Sequence, residues 1–110
     1  MIALSNNRNK IMAFAITIDH NPDETANPGT NANAKGVVGP RSTTKTFDEI
    51  VNHPDGQKFR MLDDDREVYY EGVFVGEDEF QPLDCFGSPN AGCTTIQYWQ
   101  AGTGGGWKDL

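Results

Sequence analysis

Between Asp63 and Asp84 the chain places nine carboxylates against a single cation, Arg66, and interleaves them with Val68, Tyr69, Tyr70, Val73, Phe74 and Val75. Carboxylates that alternate with β-branched and aromatic residues do not read as a solvated tail; they place the charge on folded, strand-like structure. There, like-charge repulsion costs stability. The asymmetry extends to the whole chain. Residues 1–60 carry six acidic and seven basic side chains, residues 61–110 carry ten and two, and the formal net charge of the 110 residues is −7. This balance argues against ordinary nucleic-acid binding, which needs a basic footprint. The length argues for a single domain, 1–110, without a separate cofactor domain. Eleven aromatic residues argue against a wholly disordered chain.

Residues 1–9 read as a polar, frayed end. Met12, Phe14, Ile16 and Ile18 alternate with Ala13, Ala15 and Thr17, which predicts a half-buried strand over Ile11–Asp19. This apolar run follows Arg8 and Lys10 but is too short to span a bilayer as a helix. It predicts no membrane association, and Met12 is an alternative start. Residues 20–45 are rich in Asn, Pro, Gly and Thr and read as a long flexible loop. Thr46-Phe47-Asp48-Glu49 has capping-box spacing and predicts one short helix over 47–53, stopped by His53-Pro54-Asp55-Gly56. Beyond it, strands are expected at Lys58–Leu62, Glu67–Val75, Phe80–Phe86 and Cys93–Ala101, with a bulge at Gly72 and loops at 63–66, 76–79 and 87–92. The fold expected is α+β: an antiparallel β-meander of four or five strands with one short helix, its ordered core at about 46–101.

Several chemical readings fail on spacing. An EF-hand loop starting at Asp63 would need glycine and glutamate where Val68 and Phe74 stand. Cys85, Cys93, His20 and His53 have no zinc-ligand spacing, so the cysteines are expected free and reduced, as in the cytoplasm. Gly102–Gly106 has no helix after it to face a phosphate and reads as a hinge, with Trp107 as a final anchor. Ser5, Ser42 and Ser88 lack a nucleophile motif. The expectation is a protein without catalysis, metal or cofactor. A carboxylate-based or metal-dependent hydrolase is the first alternative, and a self-associating structural accessory the second.

The stretches Arg60–Gly72 and Pro82–Tyr98 resemble small uncharacterised proteins of bacteria and their phages. The resemblance implies a compact β-rich unit and transfers no activity. Size and acidity are also similar to those of anti-CRISPR inhibitors. By that analogy the acidic stretch imitates nucleic-acid phosphates and blocks a basic surface of a nucleic-acid-binding protein, such as a CRISPR effector. The residues expected to meet the partner are Asp63, Asp64, Asp65, Glu67, Tyr69, Glu71, Glu77, Asp78, Glu79 and Asp84. Direct nucleic-acid contact is not expected, and the sequence leaves the oligomeric state open.

Overall fold

The computed structural model describes residues 12–20, 34–77, 79–102 and 104–110. Along the chain these form β1 (Ala13–Asp19), β2 (Val38–Gly39), α1 (Phe47–Val51), β3 (Gly56–Leu62), β4 (Val68–Val75), a π-helical turn (Leu83–Gly87), α2 (Ser88–Ala91), β5 (Thr95–Gln100) and β6 (Gly106–Asp109). All six strands join one antiparallel sheet in the order β2-β1-β4-β3-β5-β6. The molecule is mostly β with small helices, as expected, but the strand count is higher and the path is not a meander. The chain leaves β2 at one margin and passes over β1 and β4 to reach β3. It then passes over β3 to join β4 to β5.

Each crossing carries helix, and each helix covers the face it crosses. On one face α1 sets Ile50, with Phe47 and Val51, against Ala13, Ala15, Val73 and Val75. The small alanines of β1 leave room for it. On the other face the π-helical turn brings Leu83 and Phe86 onto Phe14, Phe59, Met61, Tyr70, Ile96 and Tyr98. The larger core is aromatic: Phe59 meets Phe14 and Tyr98 at centroid distances of 6.4 and 6.1 Å, and Tyr70 meets Phe86 at 5.0 Å. Such edge contacts add about 0.5–1.5 kcal/mol each beyond their burial.

Some local expectations are met and others are corrected. β1, the β3–β4 hairpin and β5 lie where the alternation places them. Helix α1 forms with a full capping box, Thr46 Oγ1 accepting from the Glu49 amide at 3.2 Å and Glu49 Oε1 from the Thr46 amide at 2.8 Å. It stops at Val51, two residues early. The predicted strand Phe80–Phe86 and the loop 87–92 are instead largely helical, ended by Gly92 at φ 71°. A bulge does fall at Gly72, with its extra residue, Thr17, on the facing strand β1. The register shifts beside it, between Ile16 and Ile18 on β1, and again between Met61 and Leu62, where Tyr69 is the extra residue of β4. Gly72 is required because a Cβ there would collide with the Ala15 backbone carbonyl and lie 2.6 Å from the Phe59 ring. Finally, the glycine run closes a turn rather than a hinge: Gly105 donates to the Gly102 carbonyl at 2.9 Å and β6 follows.

Val38–Gly39, inside the segment read as a flexible loop, pairs with β1, so ordered structure extends well beyond 46–101 on both sides. The frayed end at 1–9 and half of the flexible-loop expectation, 21–33, fall outside the described residues. Cys85 is exposed and Cys93 buried, and both are free thiols. Among the described residues no helix is long and apolar enough to cross a membrane.

Candidate partner-binding surface

The β3–β4 turn gathers four of the expected carboxylates. Asp63 builds the turn: its Oδ1 accepts from the amides of Asp65 and Glu67 at 2.9 and 3.0 Å, and its own amide donates to the Glu67 carbonyl at 3.0 Å. Partial burial first, and then the neighbouring Asp63 carboxylate, push the Tyr69 hydroxyl above its ordinary range. Asp63 and Tyr69 therefore hold structure, while Asp64, Asp65 and Glu67 point outward and are exposed.

The other acids lie elsewhere. Glu77 and Glu79 stand beyond the opposite end of β4, about 25 Å away at the rise of an eight-residue strand. Glu79 is exposed, and its backbone is clamped by the Tyr98 hydroxyl, which donates to its carbonyl at 2.7 Å. Glu71 sits mid-strand, with Oε2 2.6 Å from His20 Nε2. Asp84 is exposed on the π-helical turn. Asp78 is outside the described residues. The nine described residues thus form no single face; three of them make one dense, outward acidic tip.

Beside that tip lies a feature the sequence reading missed. Helix α1 covers only the β1–β4 half of its face, and the β3-β5-β6 half carries a ladder of polar and aromatic side chains. Arg66, in the turn, reaches sideways and grips Asp109 of β6 with both guanidinium nitrogens at 3.2 Å. Asp109 also accepts from Gln97 at 2.6 Å, and Gln97 accepts from Arg60 at 2.6 Å. These bonds, Arg66 first and Gln97 next, hold the Asp109 carboxyl below the usual carboxylate range. The Arg60 guanidinium lies 4.4 Å above the Trp107 ring, which meets Trp99 edge-on at 5.5 Å. Trp99 is 42% exposed. The available signal was the alternation Gln97/Trp99 and Trp107/Asp109, each pair two residues apart and so on one face of its strand.

Among the described residues no three His, Cys, Asp or Glu side chains converge in the manner of a metal site. What the surface can do is electrostatic and contact recognition. It offers uncompensated carboxylates on a rigid turn, next to two tryptophans and a guanidinium held in fixed positions. Comparison with protein-family models, with curated proteins and with solved structures finds no match to this chain.

Proposed function

We propose that this chain is a small non-catalytic binding protein whose acidic tip docks on a basic surface of a nucleic-acid-binding partner and blocks it by imitating phosphates. The observation that carries the reading is the direction of Arg66. It is the one cation within the acidic run, and its charge is spent on Asp109. Among the described residues no cation pairs with Asp64, Asp65 or Glu67. Asp63 fixes the turn that displays them, so the carboxylates meet a partner already ordered. That is the condition under which complementary charge speeds association and selects partners. The nucleic-acid groove of a CRISPR effector is one surface of the required kind.

The test is capture from a bacterial lysate with the wild-type protein and with the triple variant Asp64→Lys, Asp65→Lys, Glu67→Lys. Nucleic-acid-binding proteins should be retained by the wild type at low salt, released at high salt, and absent from the variant. Capture that is indifferent to salt and to the three reversals, with the variant still folded by circular dichroism, defeats the reading.

A further inference from the structure

We propose that β6 is a docking edge for an extended basic segment of the partner, which adds to the sheet as a further strand and lays alternate arginines on Trp107 and toward the acidic tip. The inference rests on the basic partner argued above and adds where and how that partner binds. Among the described residues, strand β6 forms one margin of the sheet and pairs only with β5. The opposite margin, β2, has two residues and offers little backbone.

The hydrogen-bond pattern shows which groups of β6 are open. Leu110 donates its amide to the Ile96 carbonyl at 3.1 Å, one step beyond the pair Gln97–Asp109. In an antiparallel ladder such bonded pairs alternate with unbonded ones. Lys108 and Gly106 therefore exchange bonds with Tyr98 and Gln100, while the amides and carbonyls of Trp107 and Asp109 point away from the sheet. The side chains of the same two residues stand on the uncovered half-face. A strand added here would bond the backbone at Trp107 and Asp109 and place alternate side chains directly beside them.

The molecule itself shows what those neighbours accept. Trp107 already carries a guanidinium over its ring, and Asp109 already holds one in a two-nitrogen grip. Beyond Asp109 the path of such a strand runs to the turn with Asp64, Asp65 and Glu67, because β6 ends where Arg66 reaches across. Arginine suits both neighbours better than lysine. Its planar fork stacks on aromatic rings and matches a carboxylate with two bonds.

The experiment titrates isotope-labelled full-length protein with three peptides: alternating arginine and threonine, alternating lysine and threonine, and alternating glutamate and threonine. The expected result is saturable, salt-sensitive binding of the arginine peptide, several-fold weaker binding of the lysine peptide and none of the glutamate peptide. Hydrogen exchange at the Trp107 and Asp109 amides should slow on binding, and both indole resonances should shift. Binding of the arginine peptide with unchanged exchange at these amides puts the segment on the acidic tip alone. That overturns edge docking and leaves the basic-partner reading standing. Equal binding of the glutamate peptide makes the edge blind to charge and overturns the inference. So does failure of both basic peptides to bind, and the lysate capture then decides the broader reading separately.

Discussion

Arg66 combines two demands that pull against each other. Its backbone sits at φ 68°, a region that L residues other than glycine enter at a cost, while its side chain is needed on Asp109. Glycine would suit the turn better but would return no guanidinium. Comparing Arg66→Gly with Arg66→Ala isolates the backbone, since both lose the grip on Asp109. The glycine variant should be the more stable by about 1 kcal/mol in urea denaturation, and equal stabilities would mean the turn relaxes. Cys93 makes a different prediction. Burial first, and the Asp63 charge second, push its thiol up to about 12 from an ordinary 9. Between those two values the unfolded chain sheds a proton that the folded chain keeps, so unfolding becomes easier as pH rises. The stability is fully present below pH 9 and is lost through pH 12, with a slope of up to about 1.4 kcal/mol per pH unit. Cys93→Ala should flatten the profile relative to wild type across that window; parallel profiles would show that the thiol is not held protonated.

Helix α1 has five residues and no intrinsic stability to speak of. Its capping box and the apolar face formed by Phe47, Ile50 and Val51 hold it on β1 and β4. Thr46→Ala should cost about 1 kcal/mol, read as a lowered denaturation midpoint. No change would mean that packing alone holds the turn. This helix was legible because cap, spacing and stop signal agree within a few residues. The second helical region was not. Pro82 and Pro89 read as breakers, yet Pro82 is buried just before the π-helical turn and Pro89 lies in the first turn of α2, which continues from it. The spacing of Leu83 and Phe86, both buried, was the helical signal, too short to outweigh the prolines. Strand β6 was hidden for a similar reason. The glycines before it look like a linker, and only the pairing of Trp107 with Trp99 shows them to be a hairpin turn. The acidic tip was readable from composition. The ladder beside it was not, because it depends on which strands become neighbours.

The two crossings explain why the molecule has one bare half-face and why its charge is divided. The chain covers what it passes over, and among the described residues nothing passes over β3, β5 and β6 on the side of Trp99 and Trp107. The same path puts the acidic tip at one end of β4 and the exposed Glu79 at the other, about 25 Å apart. That separation decides how the charges act. The Debye length is ~30 Å at 0.01 M salt and ~8 Å at 0.15 M. The two ends therefore repel each other in dilute buffer and are independent under cellular conditions, whereas repulsion within the tip persists further. Salt should raise the Tm of the wild-type protein for this reason alone. In the variant Asp64→Lys, Asp65→Lys, Glu67→Lys each reversal adds two charges, taking the formal net charge from −7 to −1. Its Tm should start higher in dilute buffer and respond less to salt, by about 4–8 °C for each 1 kcal/mol of repulsion relieved. A tip kept for recognition at the expense of stability gives opposite signs in the two measurements: the triple variant binds less and melts later. A variant that melts earlier would show that the three carboxylates support the turn itself, and its lost binding would then report unfolding of the site rather than loss of its charge.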